Sequence, residues 1–159
     1  MTNTDPELRQ QLTNMLTVMQ AHMHFEEAIA NFPIDQINTR IPNAEYTFWH
    51  LIEHIRICQI DILRYIHGVD YVELKFPDDL WPARDAVTDE AGWQQAVDQF
   101  LVDRQALVDI INDPANDLHA QLPHAAEGHT ILREVLIVGS HNAYHIGELG
   151  ALRQAMKLW

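Results

Sequence analysis

The sequence contains little cysteine and no long apolar run. Cys58 is the single cysteine among 159 residues, so no internal disulfide can form, which is typical of proteins in reducing compartments. No apolar stretch approaches the roughly 18 residues that cross a bilayer. The polar N-terminal residues also lack the basic and apolar pattern of a secretory signal. We therefore expect a cytoplasmic protein without a membrane partner.

Basic residues are scarce as well. The chain has 10 Lys and Arg residues against 23 Asp and Glu residues, which gives a formal net charge of -13. Binding to a nucleic acid backbone depends on clustered basic side chains, and the few basic residues here form no stripe. The charge balance therefore argues against nucleic acid and anionic lipid as partners.

Helical periodicity dominates what is present. Hydrophobic residues make up 47% of the chain, enough for one globular domain over residues 1–159. Apolar positions recur at helical spacing in four long segments, with no competing strand pattern. The predicted helices span about 5–31, 44–67, 89–112 and 130–157. The sequence thus predicts an all-α protein with a four-helix bundle, and its long connections argue against simple up-down-up-down wiring.

Local signals predict where one of these helices ends and where two others begin. Gly68 is expected to stop the second helix, Thr88 or Asp89 to cap the third, and Thr130 to cap the fourth. Two glycines interrupt the fourth helix and are expected to mark close contact with another helix: Gly139 and Gly150.

Ten histidines are many for a chain of this length, and four of them form two pairs with the same spacing. His141 and His145 lie four residues apart on the fourth helix, and His50 and His54 on the second. This spacing places both rings of a pair on one helix face, where neutral imidazoles can converge on one metal ion. The alternative is that the imidazoles fill a polar layer of hydrogen bonds without metal.

Two carboxylates and the cysteine are weaker candidates for chemistry. Asp61 lies seven residues beyond His54, and Glu134 shares the helix face of His141. Either could orient a ligand imidazole or move a proton, although a solvated or salt-bridged surface role is the more ordinary interpretation. Cys58, one turn after His54, could approach an ion but is better explained as packing.

Several familiar motifs do not occur. The Glu-x-x-His pairs of di-iron bundles, the His-Glu-x-x-His protease motif and the glycine-rich phosphate loops are all missing from the sequence. A single ion held by imidazoles is therefore the hypothesis that the residues favour.

Two segments resemble a known family. The residues 48–56 (FWHLIEHIR) and 141–147 (HNAYHIG) resemble the second-helix and fourth-helix motifs of the DinB/YfiT-like family of metal-dependent proteins. The resemblance implies a bundle wired up-down-down-up, with His54, His141 and His145 as metal ligands. His50 would then support a ligand or the helix. Glu148 stands where the family often has glutamine, which adds a carboxylate near the site.

The family's chemistry is mixed, so the resemblance leaves alternatives open. Some members resemble transferases that use low-molecular-weight thiols, and others look like hydrolases. We expect a homodimer with one divalent ion per chain, zinc or nickel in preference to manganese or iron, and a small-molecule substrate such as a thiol. The main alternative is a non-catalytic metal-binding or small-ligand-binding module.

Overall fold

The computed structural model describes residues 5–159, and its regular structure there is helical, which confirms the all-α class. The first four residues of the predicted domain lie outside this range. A 3-10 turn at Ile34–Gln36 accompanies the helices. The helices are α1 Pro6–Thr17, α2 Phe25–Ile29, α3 Phe48–His67, α4 Glu90–Asn112 and α5 Ile131–Ala155.

The ends of the later helices follow the local signals. The Asp89 side chain accepts a hydrogen bond from the Gly92 N–H at 2.9 Å, and Thr130 Oγ1 accepts one from the Arg133 N–H at 3.1 Å. Gly68 ends α3 in the left-handed conformation, with φ +68°, which costs a glycine little. These bonds satisfy backbone groups that a helix leaves unpaired at its ends.

The prediction of one helix over residues 5–31 is wrong. The chain leaves helical conformation at Val18, with φ -121° and ψ 140°, and becomes helical again at Phe25. The apolar spacing continues through Val18 and Met19, but these side chains are 48% and 64% exposed. They therefore do not pack into the core as the helical pattern predicts. The break redirects the chain so that the buried Phe25 ring packs 4.0 Å from that of Phe100, centroid to centroid.

The central helix is α3, which packs against both α4 and α5, while α1 contacts α4 and α5 and α2 contacts α5. The two helices α1 and α5 approach closely at Gly139, where an added Cβ would lie 2.4 Å from Met15 Cε, the flexible end of that side chain. An added Cβ at Gly150 would lie 2.8 Å from Met23 Sδ, but Met23 is in the segment between α1 and α2. Of these two glycines, Gly139 is therefore the one at which the predicted contact with another helix is found. Within the described range, no helix has the length and hydropathy to cross a membrane.

Two histidines of α3 fasten the long connection that follows it. His50 Nε2–H donates to the Ala83 carbonyl at 3.0 Å, and His54 Nδ1–H donates to the Leu80 carbonyl at 2.8 Å. The connection at 68–88 therefore folds back along the start of α3 and brings Trp81 to its surface.

A buried arginine ties the end of α5 to the C-terminal end of α2. Arg153 is 1% exposed and donates to the carbonyls of Ala28, Ala30 and Leu158, at 2.7, 3.1 and 3.0 Å. Its guanidinium carbon lies 4.0 Å from the ring centroid of Trp159. This cluster fixes the end of α5, the helix that also carries His141 and His145.

Candidate metal centre

Three of the predicted histidines come together between α3 and α5. The ring centroid of His54 lies 5.0 Å from that of His141 and 4.8 Å from that of His145. The centroids of His141 and His145 are 4.6 Å apart. The three imidazoles thus form a nearly equilateral triangle, with two corners supplied by one turn of α5.

The spacing of two ring nitrogens matches that of ligands on one ion. The Nε2 atoms of His54 and His141 lie 3.2 Å apart. Two nitrogens bound about 2.0–2.1 Å from zinc at a tetrahedral angle would be about 3.3 Å apart. His141 Nδ1, the other nitrogen of that ring, is buried without a hydrogen-bond partner, so no such bond fixes the tautomer of His141.

The other two histidines are held through their Nδ1 atoms. His54 Nδ1–H donates to the Leu80 carbonyl, and His145 Nδ1–H donates to Glu148 Oε2 at 2.8 Å. Each bond fixes a tautomer in which Nε2 carries the free lone pair that a metal ion needs. Such outer contacts are a regular feature of histidine ligands.

Cys58 belongs to the same cluster, although the sequence favoured a packing role for it. One ligand atom each from His54, Cys58 and His141 lie within 4.8 Å of one another, so this group could hold a metal ion. Cys58 Sγ is 3.6 Å from His54 Nδ1. The available signal was its position four residues after His54, which places both side chains on one helix face.

A model of the DinB superfamily matches residues 18–149. The chain belongs to the DinB superfamily. The match covers α2, α3 and α4 and most of α5, and it includes all three histidines of the triangle. No curated protein and no solved structure matched the chain. The resemblance found in the two histidine motifs is thereby confirmed as family membership.

Burial keeps two imidazoles of this DinB-superfamily site uncharged. Loss of solvent lowers the pKa of His54 from its ordinary value, and the neighbouring His145 lowers it further. Burial, followed by the charges of His145 and His54, lowers the pKa of His141 to about 4. Both rings are therefore neutral near pH 7, which is the form that binds metal.

The Cys58 thiol is protonated in the metal-free protein. Burial raises its pKa to about 12, and the nearby Asp61 carboxylate contributes to the same effect. A metal ion can displace the proton from a coordinating thiol. Without an ion the thiol remains a neutral group against the His54 ring.

Two aromatic side chains from loops lie beside the histidine cluster, where the sequence did not predict them. Trp81 stacks on His54, with 3.8 Å between ring centroids and 7° between ring planes. Tyr46 packs against Trp81 at 5.3 Å, and its hydroxyl donates to Glu148 Oε1. Residues 76–82 include Phe76, Pro77, Trp81 and Pro82, but no spacing rule links that segment to His54.

His50 lies outside the triangle. Its Nδ1 accepts from the Thr47 hydroxyl at 2.7 Å, and its Nε2–H donates to the Ala83 carbonyl. Both ring nitrogens are therefore engaged by protein atoms. The predicted supporting role fits these contacts, since His50 holds the same connection as His54.

The two candidate carboxylates contact groups other than the three histidines. Asp61 accepts from the Tyr71 hydroxyl at 3.5 Å, and burial raises its pKa. Glu134 is buried, pairs with Arg133 at 2.5 Å, and lies 3.7 Å from His129 Nδ1. Their catalytic roles stay predictions, and the carboxylate that contacts a histidine of the triangle is Glu148.

Proposed function

We propose that this DinB-superfamily chain binds one divalent ion through His54, His141 and His145 and uses it as a metal-dependent thiol transferase or hydrolase. The observation that carries the proposal is the 3.2 Å separation of the His54 and His141 Nε2 atoms within the triangle of imidazoles. Neutral nitrogen ligands favour zinc or nickel, with manganese and iron as alternatives.

A divalent ion held by His54, His141 and His145 would supply Lewis-acid chemistry to a bound water or thiol at an open position. The protein's own groups would prepare this position. Leu80 and Glu148 orient His54 and His145, and Trp81 covers one face of the His54 ring. Asp61 and Glu134 remain weaker candidates for proton transfer.

A groove beside His141 offers room for a small-molecule substrate. It measures about 710 Å³ along the outer face of α5, and its apolar lining includes the exposed side chains of Leu136, Ile137 and Tyr144. An apolar part of a substrate could lie there with its thiol or carbonyl end towards His141. A low-molecular-weight thiol is the substrate that the family resemblance favours.

The proposal extends to the organisation of the chain. It includes a single domain over residues 1–159, up-down-down-up wiring, a homodimer and a cytoplasmic location. The contacts of α1 with both α4 and α5 and the long connections at 68–88 and 113–129 support the wiring. The acidic charge supports a protein that has no nucleic acid partner.

The second candidate function is a non-catalytic metal-binding module. The proximity of Cys58 to His54 and His141 favours it, because a fourth protein ligand would close the coordination shell. Closed four-ligand sites are typical of structural zinc, whereas catalytic sites keep a position for water or substrate. The role of Cys58 therefore separates the two functions.

Metal content tests binding. Untagged protein purified without chelator should contain about one divalent ion per chain by elemental analysis, and His141→Ala should lose it while His119→Ala keeps it. Cobalt substitution then tests Cys58: a thiolate-to-cobalt absorption band that disappears in Cys58→Ser would support the closed module. Absence of metal, with no uptake of added zinc or nickel, would refute both functions.

Turnover distinguishes the enzyme from the module. The zinc-loaded protein should accelerate the reaction of a small thiol with an electrophile, or hydrolyse an ester or amide, and His145→Ala should abolish the rate while Cys58→Ala retains it. Metal-loaded protein that is inactive with both panels would favour the binding module.

A further inference from the structure

Glu148 connects the histidine triangle to a residue outside it. It lies one turn after His145 on α5, and its Oε2 accepts the His145 Nδ1–H at 2.8 Å. Its Oε1 accepts the hydroxyl of Tyr46, which comes from the segment before α3. Both carboxylate oxygens are therefore engaged, one by a proposed ligand and one by a phenol.

We propose that Glu148, held by Tyr46, is the positioning residue of the metal centre and sets both its affinity for the ion and its affinity for incoming anions. This inference rests on the proposed metal-binding function. The carboxylate orients the His145 ring so that Nε2 keeps the lone pair for the metal ion. It also places a full negative charge on the opposite side of that ring.

Glu148 contributes to metal binding by orienting His145 and by its charge, and a substitution at this position can separate the two contributions. Glutamine at 148 would still accept the His145 N–H through its amide oxygen. It would orient the ring but would carry no charge. The carboxylate additionally strengthens the imidazole as a donor, which is the recognised effect of a carboxylate behind a metal-bound histidine.

The charge has opposite effects on the metal and on an anion. A carboxylate one imidazole away attracts the divalent ion and also cancels part of its charge as an incoming anion experiences it. Removing the charge should therefore weaken metal binding and strengthen anion binding. A residue that only supports the fold would weaken both, because the ligands would lose their arrangement.

Tyr46 supports the same arrangement from the other side. Its hydroxyl holds the second carboxylate oxygen, and its ring packs 5.3 Å from Trp81, the residue stacked on His54. Tyr46 thus touches the supports of two corners of the triangle. Its loss should loosen Glu148 without removing the charge.

Competition with a chromophoric chelator measures zinc affinity in the full-length protein. Glu148→Gln should weaken zinc binding by about 10–100-fold, and Tyr46→Phe should weaken it by less. The matched control is Glu53→Gln. Glu53 also forms a half-buried i,i+3 pair, at 2.6 Å, but its partner is Arg56 and not a histidine of the triangle. Its substitution should leave zinc affinity unchanged.

Azide titration of the cobalt-loaded protein, followed by visible absorption, supplies the second measurement. Glu148→Gln should bind azide on the order of tenfold more tightly than the unmodified protein. Glu148→Asp keeps the charge but shortens the reach, so it should weaken zinc binding without tightening azide binding. Thermal unfolding confirms that each variant is folded.

Each outcome supports or overturns the inference. Equal zinc affinity in the unmodified protein and Glu148→Gln would overturn it while leaving metal binding established. Loss of zinc and azide affinity together would show a purely structural residue. If the unmodified protein binds no zinc, the proposed function itself fails. Should Glu148→Gln not fold, weakened zinc binding in Tyr46→Phe supports the inference, and unchanged binding overturns it.

Discussion

The Nε2 atoms of His54 and His141 lie 3.2 Å apart, although 87 residues separate the two along the chain. One proton between two neutral rings, or one ion bound to both, allows such an approach. Neighbouring His145 adds a third imidazole at a similar distance from each ring. A shared proton would join the His54 and His141 rings only, whereas the ion that we propose would also engage His145.

The two histidines at the start of α3 should therefore differ in their effect on metal binding. His54→Ala should lower zinc affinity at least 100-fold, because it removes a ligand, whereas His50→Ala should change it less than tenfold, since both His50 nitrogens already bond Thr47 and Ala83. Isothermal titration of metal-free protein measures both. If His50→Ala abolishes metal binding and His54→Ala does not, the ligand on α3 is His50, one helical turn before His54.

Acid should destabilise the metal-free protein through His141. Its pKa falls from 6.5 to about 4 in the folded state, so below pH 6.5 the unfolded chain binds a proton that the folded chain does not. Stability from the neutral ring is then lost between about pH 6.5 and pH 4 as the pH falls. Denaturant unfolding in chelator across this window measures the loss.

His141→Gln is the comparison for the pH experiment. It removes the titrating group, so its free energy of unfolding should depend less steeply on pH over the same window. Parallel curves for the two proteins would show that His141 does not titrate as its burial requires.

Trp81 should report metal binding by fluorescence. Its indole stacks on His54 at 3.8 Å, so nickel or cobalt at the centre should quench its emission strongly. Trp81→Phe should lose most of the quenching but still bind metal, because its smaller ring can stack on His54 without the indole fluorophore. Trp93→Phe, altered in the core next to Phe32, should keep the quenching. Quenching retained in Trp81→Phe would place the ion elsewhere.

Arg153→Met should cost about 3 kcal/mol of stability, because it leaves buried carbonyls of Ala28 and Ala30 without donors. Chemical denaturation measures this. Arg84→Met is the control: that side chain forms an exposed pair with Glu45 and should change stability by less than about 1 kcal/mol. Equal losses of stability in the two variants would mean that the buried hydrogen bonds of Arg153 stabilise the fold no more than the exposed pair of Arg84.

Local chemistry explains which parts of the fold could be predicted from the sequence. Asp89, Thr130 and Gly68 each act on backbone groups a few residues away, so their effects can be inferred without a fold. The break at Val18 could not be predicted in this way. It depends on where Phe25 finds a partner across the core, and the apolar spacing alone continues through it.

The candidate site divides in the same manner. The spacing of His141 and His145 already places them on one face of α5, while the choice of His54 over His50 came from the family motif. Tyr46 and Trp81 lie in loops, and their contacts with Glu148 and His54 exist only once the chain has folded.

Both bonds that fasten the 68–88 connection to α3 end on main-chain oxygens, those of Leu80 and Ala83. Every residue type offers such an oxygen, so the side chains at these positions can be exchanged without breaking the bonds. Evolution, or a designer, can therefore vary the chemistry of the wall next to Trp81 while His50 and His54 keep their orientation. The two histidines therefore keep their orientation independently of the side chains that form this wall.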